Sequence, residues 1–326
     1  MEVPGAPGLT RVEYWDDLAQ GSRYDEEIFH SVANDHEGVI RQALDQAVAR
    51  AKAAHSDVVA VDLGCGPGDW LQELSRRFSR VVGLDISPGL LHKARQRSKG
   101  LHNVQLEAPV DLGAPCKQPA PGDGAAPACG GLPATVAGGS ADVVFSANSL
   151  ISPDPLVRSR MLRRAAEMLR PGSASTAVMV VPSAASFKHI QAEYKRLGGS
   201  DGPLGLISDY ELPDASEASD VFPANGVRTQ FFDGKRACRE LSEAGLLCSS
   251  VRAMPYDWSQ ALPPTSKLLR PPTPHLLVIT AQPRAGARGG AADLEGSRPS
   301  PEIAAAALKS AGMLSALRRG GLQGFL

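Results

Sequence analysis

A glycine-rich turn after a buried strand constrains the fold of this chain more than any other feature of its sequence. Residues Val58 to Leu63 are apolar and rich in valine except for Asp62, which is typical of a strand that is covered on both faces. Glycine then occupies every second position, at Gly64, Gly66 and Gly68. Because glycine allows a sharp turn and the close approach of a ligand, the sequence predicts a ligand site where this strand ends.

The residues after the turn predict a helix and then a second strand parallel to the first. We expect the helix to begin at Asp69, because Leu71 and Leu74 fall on one face of it. Residues Val81 to Leu84 repeat the form of a short buried strand, and Asp85 follows them. A ligand on the turn would meet the N–H groups at a helix N-terminus, and an acid at the second strand tip accepts ribose hydroxyls. A nucleoside site is therefore expected at this edge.

The glycine spacing separates two classes of nucleoside ligand. In the dinucleotide fingerprint G-x-G-x-x-G, the third glycine comes three places after the second. Here that place holds Asp69, so the fingerprint is not met. Asp62 and Asp69 also flank the turn, where they would repel a pyrophosphate but not a cationic or zwitterionic ligand.

The run from Asp62 to Gly68, followed by Gly-Leu-Asp-Ile-Ser, resembles motif I and the second-strand acid of the class I S-adenosylmethionine (SAM)-dependent methyltransferases. The resemblance implies SAM as the cofactor. It also implies a doubly wound α/β fold, in which a mostly parallel seven-stranded sheet with an antiparallel C-terminal strand has helices on both faces. The cofactor-binding residues that it implies in this region are Asp62, Gly64, Cys65, Gly66, Gly68, Asp85 and Ile86.

Two later positions become site candidates through the same resemblance. A strand over residues 104–106 precedes Asp111, which we take as the acid for the adenine amino group; a solvated loop acid is the alternative. A fourth strand over 141–148 ends at Asn148, where the family faces the transferred methyl group, so Asn148 is a candidate for cofactor contact and for catalysis. The other predicted elements are a helix over 155–169, a strand over 176–181, a helix over 186–196, a helix from Asp233 to Gly245, and closing strands over 247–254 and 276–280.

Aromatic residues ahead of the first sheet strand resemble a cap that many members of the family fold over the cofactor. Tyr14, Trp15 and Tyr24 are candidates to flank the methionine part, where an aromatic face would stabilise a sulfonium cation. The alternative is that Trp15 packs the first helix.

Catalysis of methyl transfer from a sulfonium needs alignment more than acid–base chemistry. The leaving group is good, and a base is useful only for a hydroxyl or ammonium nucleophile. The candidates are His189, Tyr24 and Asn148, with an ordinary surface histidine as the alternative for His189. The Asn-Pro-Pro-aromatic pattern of amino-directed DNA methylases does not follow the fourth strand, which argues against nucleobase amines as acceptors.

Composition restricts the partners and the compartment. Lys+Arg 34 against Asp+Glu 35 gives a net charge of -1, with no basic stripe of the kind that binds nucleic acid. No apolar run approaches the ~20 residues of a membrane span, and no secretory signal is expected. The 5 cysteines are odd in number and scattered, so we expect free thiols, no zinc site and a cytoplasmic location.

The sequence therefore predicts a SAM-dependent methyltransferase with a small-molecule acceptor. The alternatives are a methyltransferase acting on protein or RNA, and a non-catalytic SAM-binding interaction module; the oligomeric state stays open. The predicted segments are a cap over 1–36, the methyltransferase domain over 37–283, a disordered insertion over 113–140, a substrate lid over 198–232, and a linker with a C-terminal helix over 284–326. That helix is either peripheral or a docking or membrane-surface helix.

Overall fold

The computed structural model describes residues 12–20, 30–115, 132–136, 138–196, 221–224, 227–255 and 275–284. All of them lie in the compact unit Met1–Ala285. The helices are α1 (Val12–Gln20), α2 (Ser31–Asn34), α3 (Val39–Lys52), α4 (Leu71–Ser75), α5 (Pro88–Arg97), α6 (Pro155–Met168), α7 (Ala184–Arg196) and α8 (Gly234–Glu243). The strands are β1 (Val59–Leu63), β2 (Arg80–Leu84), β3 (Val104–Leu106), β4 (Val143–Ala147), β5 (Thr176–Pro182), β6 (Val221–Ala224), β7 (Val227–Gln230), β8 (Leu246–Pro255) and β9 (His275–Pro283).

Seven of the strands form one sheet in the order β3-β2-β1-β4-β5-β9-β8. The strands from β3 to β5 in this order are parallel to their neighbours, and β9 is antiparallel to both β5 and β8. This confirms the predicted mostly parallel seven-stranded sheet with an antiparallel C-terminal strand. The strand order reverses direction between β1 and β4, and the crevice at such a switch point is where open α/β sheets bind ligands.

Helices cover both faces of the sheet. On one face, α3 contributes Ile40 and Leu44, both fully buried against β1, β4 and β5. On the other face, Leu162 of α6 and Leu241 of α8 join the second core. Each fully buried aliphatic side chain stabilises the fold by roughly 1.5–3 kcal/mol. These two cores fix the strand ends from which the site is built.

The predicted helix start at Asp233 agrees with the structure, whereas the predicted start at Asp69 does not. The side chains of Ser87 and Asp233 cap their helices by accepting backbone N–H groups at 3.0 Å and 2.7 Å, as N-cap residues do. In contrast, α4 begins at Leu71 rather than at Asp69. Asp69 instead forms an ion pair with Arg97 of α5, so the glycine turn extends further than predicted.

The expectation that the cysteines are free thiols is wrong for one pair. Cys238 of α8 and Cys248 of β8 form a disulfide, with Cα atoms 5.3 Å apart. The chain reverses between α8 and β8, so a helix residue and a strand residue meet although neither forms a recognisable sequence motif. Cys65 is a buried free thiol; Cys116 and Cys129 lie outside the described residues.

The prediction that residues 113–140 are disordered is wrong at its carboxyl end. Val136 is fully buried in the second core, and the Thr135 hydroxyl donates to the Glu107 carboxylate at 2.7 Å. A few apolar side chains therefore order this end of a segment that is otherwise rich in glycine and alanine. Residues 116–131 lie outside the described part of the chain.

The predicted substrate lid over 198–232 is described only near its end. There β6 and β7 form an antiparallel hairpin, which the sequence did not indicate, and the Gln230 N–H donates to the Ile151 carbonyl at 2.9 Å. This places the end of the segment beside the loop that follows β4. Its role as a lid stays a prediction. Among the described helices, none is both long enough and apolar enough to cross a membrane.

Candidate functional site

A cavity of about 150 Å³ opens at the carboxyl ends of β1, β2 and β4. The structure brings most of the predicted cofactor residues together around it. Those that line the cavity are Trp15, Asp62, Gly64, Cys65, Gly66, Asp85, Ile86, Asp111 and Asn148. Gly68 and Tyr14, which were also predicted, are not part of the described lining. The cavity therefore occupies the predicted nucleoside position.

The three glycines of the turn have different neighbours. All have positive φ: +72 at Gly64, +53 at Gly66 and +88 at Gly68. A Cβ on Gly68 would lie 2.9 Å from Leu71 and 3.2 Å from Ala94, so this glycine allows close packing of α4 and α5. A Cβ on Gly66 would have nothing within 4 Å. Gly66 thus faces open space, which a ligand can fill.

Asp85 lies at the tip of β2, as predicted, and closes one side of the turn. Its side chain is 7% exposed and accepts the Gly66 N–H at 2.8 Å and the Ser87 N–H at 2.9 Å. Burial raises the pKa of Asp85, the N–H donors oppose this, and the nearby Asp16 raises it further. Since each carboxylate oxygen can accept more than one hydrogen bond, Asp85 retains capacity for ligand hydroxyls.

The charge of the described lining is entirely negative. It holds Asp62, Asp69, Asp85 and Asp111, and none of its described residues is a lysine, arginine or histidine. The charge of Asp69 is partly compensated, because this residue pairs with Arg97 outside the cavity. Such a lining disfavours phosphate groups and favours a ligand that carries positive charge.

Asn148 ends β4 in a conformation that is unusual for a residue other than glycine. Its φ is +54, its side chain is buried, with 4% exposure, and its N–H donates to the Val180 carbonyl at 2.9 Å. Strained positive φ is often found at functional sites. The structure therefore places the Asn148 amide at the cavity wall, at the edge where the acceptor was predicted.

Comparisons with known proteins agree with this geometry. A family model described as "Methyltransferase domain" matches residues 60–112, which run from β1 to the Asp111 loop. The solved structure of a SAM-dependent methyltransferase from Anabaena variabilis is similar with a TM-score of 0.52 and 14% identity, covering 87% of this chain and 100% of that one. The chain therefore has the fold of the class I SAM-dependent methyltransferases, and its residues 60–112 match the methyltransferase domain model.

Two further proteins are similar to this chain. A trans-aconitate 2-methyltransferase of Methylobacterium nodulans is 49% identical over 43 residues, which are 13% of this chain and 17% of that protein. The chain thus spans less than a fifth of the length of this curated relative. The structure of the N-methyltransferase NodS of Bradyrhizobium japonicum, solved with S-adenosylhomocysteine, has a TM-score of 0.46 and 13% identity, over 83% of this chain and 97% of that one.

Helix α1 covers the cavity and is anchored by Asp16. The Asp16 carboxylate accepts the Ser87 hydroxyl at 2.5 Å and the Gly89 N–H at 3.0 Å, both at the start of α5. Trp15 then lines the cavity, and it packs with Tyr14 against Ile151. Burial raises the pKa of Tyr14. The structure thus places Trp15 of α1 in the cavity lining, while the role of this helix as a cap over the cofactor stays a prediction. Asp16 is one residue that sequence reasoning missed.

The loop after β4 also contributes residues that were not predicted. Ile151 and Ser152 line the cavity. The guanidinium of Arg158 fixes this loop by donating to the Ser152 carbonyl at 2.6 Å and pairing with Glu240 of α8 at 2.8 Å. The only sign of this contact in the sequence is an arginine within an amphipathic helix. Its partner, Glu240, lies 82 positions away along the chain, so the pair could not be recognised from the sequence.

Of the other two predicted catalytic candidates, one lies away from the cavity lining and one is not described by the structure. His189 lies half-buried on α7, outside the described lining. Tyr24 lies outside the described residues. Asn148 is therefore the catalytic candidate that the described site contains.

Proposed function

We propose that this chain transfers a methyl group from SAM to a small-molecule acceptor. The observation that carries the proposal is the pairing of Gly66 with Asp85: an open left-handed glycine and a buried carboxylate joined by a 2.8 Å hydrogen bond at the tips of adjacent parallel strands. This arrangement supports binding of a nucleoside with both ribose hydroxyls free. The fold and the family match support the methyltransferase class.

The residues present fit this cofactor. Asp85 would accept the ribose hydroxyls, Asp62 would attract the ammonium group, and Asp111 would accept the adenine amino group. Four aspartates without a described basic residue in the lining suit a ligand with a sulfonium and an ammonium charge. The same residues do not suit a dinucleotide, because its pyrophosphate needs positive charges or N–H donors and no acidic side chains nearby.

The bound cofactor would supply a methyl group that is already activated on a sulfonium. The chain's own contribution is then to orient and to exclude water. Trp15 on α1 covers the cavity, which limits access of solvent. The Asn148 amide can hold an acceptor in line but cannot take up its proton, so we assign it a positioning role. In favourable cases, such alignment can lower the activation barrier by roughly 7–11 kcal/mol.

The acceptor is proposed to be small and neutral or cationic. The described charges around the cavity are those of four aspartates, which would repel an anionic acceptor. A net charge of -1 gives no support for a nucleic-acid acceptor.

Calorimetry with S-adenosylhomocysteine, the product form of the cofactor, tests the cofactor proposal. Wild type should bind, and Asp85→Ala should weaken binding by at least about tenfold, because a buried charged hydrogen-bond acceptor is lost. Asp57→Ala is the matched control, since Asp57 is exposed just ahead of β1. Absence of heat from folded wild type at high micromolar ligand would refute the proposal, and an unchanged Asp85→Ala affinity would place the ribose elsewhere.

A labelling experiment tests the acceptor. The chain is incubated with a cell extract and methyl-labelled SAM, and label is then measured in small-molecule, protein and RNA fractions. We expect label in the small-molecule fraction. Label in protein or RNA would replace the proposed acceptor class, and binding of the cofactor without any transfer would favour the non-catalytic module.

A further inference from the structure

One face of α6 holds the loop that carries Asp111. Val157, Arg160, Met161 and Arg164 follow the i, i+3, i+4, i+7 spacing that places side chains on a single helix face. Val157 and Met161 line the cavity. The two arginines reach past them to the backbone of the loop, so the same face that forms a wall of the cavity also fixes the adjacent chain.

The two guanidinium groups engage three carbonyl groups of this loop. Arg164 donates from Nη1 to the Asp111 carbonyl at 2.6 Å and from Nη2 to the Ala114 carbonyl at 3.1 Å. Arg160 donates from Nη1 to the Gly113 carbonyl at 2.8 Å. Because a guanidinium is a rigid planar donor, the loop cannot rotate without breaking several of these bonds.

The Asp111 carboxylate is oriented by the loop itself. Its Oδ1 accepts the Gly113 N–H at 2.8 Å. A Cβ on Gly113 would lie 2.6 Å from the Val157 side chain and 3.3 Å from Asp111 Oδ1. Helix α6 therefore packs closely against this turn. At the other end of the loop, the Val110 N–H donates to the Asp85 carbonyl at 2.9 Å. The loop is thereby fixed to the second-strand acid as well as to α6.

Arg164 is a buried cation that lies close to both the backbone and the carboxylate of Asp111. The residue is 2% exposed, and its guanidinium donates to backbone carbonyls. Burial lowers the pKa of Arg164, and the nearby Asp111 carboxylate opposes that lowering. The arginine charge thus attracts the Asp111 side chain while its N–H groups fix the Asp111 backbone.

We infer that Arg160 and Arg164 are positioning residues that give the pocket its preference for a 6-aminopurine nucleoside over a 6-oxopurine one. The inference rests on the proposed function, because both arginines act through Asp111. A fixed carboxylate accepts a hydrogen bond from an exocyclic amino group and repels the oxo group that replaces it. A site built around such a hydrogen bond discriminates strongly, whereas a loose one does not.

Calorimetric titrations with S-adenosylhomocysteine and its 6-oxo analogue, S-inosylhomocysteine, test this inference. Wild type should prefer the amino compound by at least about tenfold. In Arg164→Met and Arg160→Met, the affinity for the amino compound should fall while that for the oxo analogue changes by less than about twofold, so the preference collapses. Arg163→Met, on the exposed side of α6, is the matched control and should retain the wild-type preference.

The two-ligand comparison separates positioning from general support of the fold. Equal loss of affinity for both ligands, an unchanged preference in folded Arg164→Met, or no preference in wild type would each overturn the inference. If Arg164→Met does not fold, Arg160→Met decides alone, because the Arg160 side chain is only half-buried. Folded wild type that binds neither ligand would refute the proposed function itself, and the inference with it.

Discussion

Gly64 lies so close to Ser149 that a Cβ built on Gly64 would be 2.3 Å from the Ser149 Cβ. Ser149 cannot easily move, since its hydroxyl donates to the Leu63 carbonyl at 2.9 Å. Gly66 is also left-handed, but its Cβ would meet no protein atom within 4 Å. The first glycine is therefore required for packing between the β1 and β4 ends, and Gly66 leaves room for a ligand.

Alanine substitutions should separate these two roles. A left-handed alanine costs roughly 1–2 kcal/mol, and Gly64→Ala adds a steric clash, so it should lose more folding free energy than Gly66→Ala. Gly66→Ala should instead weaken S-adenosylhomocysteine binding by at least about tenfold, because its methyl group enters the ligand space. Urea denaturation and calorimetry measure the two effects. Equal losses of stability, or unchanged binding in Gly66→Ala, would contradict this division.

Asp85 should make folding stability depend on pH in a defined direction. Its pKa is raised in the folded state, so its contribution to stability is fully present below the ordinary aspartate pKa and is lost as pH rises through the raised value. The wild-type stability should therefore decline relative to that of Asp85→Asn with rising pH in this window, with a slope of at most about 1.4 kcal/mol per pH unit. Urea denaturation of both proteins across the window checks this. Parallel pH profiles would show that Asp85 does not titrate as stated.

Ligand binding should respond to Asp85 in the opposite sense. A protonated carboxyl accepts fewer hydrogen bonds from ribose hydroxyls, so affinity for S-adenosylhomocysteine should fall as pH decreases through the raised pKa. The fall should begin at a higher pH than for an ordinary aspartate and should be absent in Asp85→Asn. Calorimetry between about pH 5 and 8 measures this, because aspartates with ordinary pKa values stay ionised over that range. A decrease of the same size in both proteins would assign the effect to another group.

The parts of the fold that the sequence predicts well are those fixed by neighbours along the chain. The strand before Gly64, the strand before Asp85 and the capped start of α8 depend on local hydrophobic patterns and turn chemistry. Their meeting at one edge follows from the parallel connection, so residues that line the cavity, such as Gly66 and Asp85, could be named in advance.

The parts that escaped prediction depend on contacts between distant segments. Arg164 meets the Asp111 carbonyl across 53 positions, and Asp16 meets Ser87 across 71. Neither contact leaves a periodic pattern, because a single polar side chain docks onto a backbone or a helix end. The Cys238–Cys248 bond was missed for a related reason, since it depends on how α8 returns into β8.

The anchor of α1 should control how fast the ligand leaves. Asp16→Ala removes the acceptor for the Ser87 hydroxyl and the Gly89 N–H, and loss of such a capping contact typically costs about 1 kcal/mol. We expect S-adenosylhomocysteine to dissociate roughly fivefold faster, with little change in global stability, in stopped-flow measurements of Trp fluorescence. Asp17→Ala is the control, since Asp17 is exposed on the same helix. Equal dissociation rates in the two variants would show that α1 does not limit release.

Cys65 should be nearly inert in the folded protein although it lines the cavity. Burial raises its pKa well above the ordinary thiol value, and the charges of Asp85 and Asp62 raise it further. Since the thiolate is the reactive form, iodoacetamide at neutral pH should modify Cys65 at least about a hundredfold more slowly in the folded protein than in urea, as measured by mass spectrometry of its peptide. The Asp85→Asn variant removes one of the raising charges, so it should react faster than wild type while staying slower than the unfolded chain. Rapid modification of folded wild type would mean that the thiol is not held in this acidic, buried setting. A wild-type rate in Asp85→Asn would show that the Asp85 charge does not contribute, which leaves burial and Asp62 as the causes.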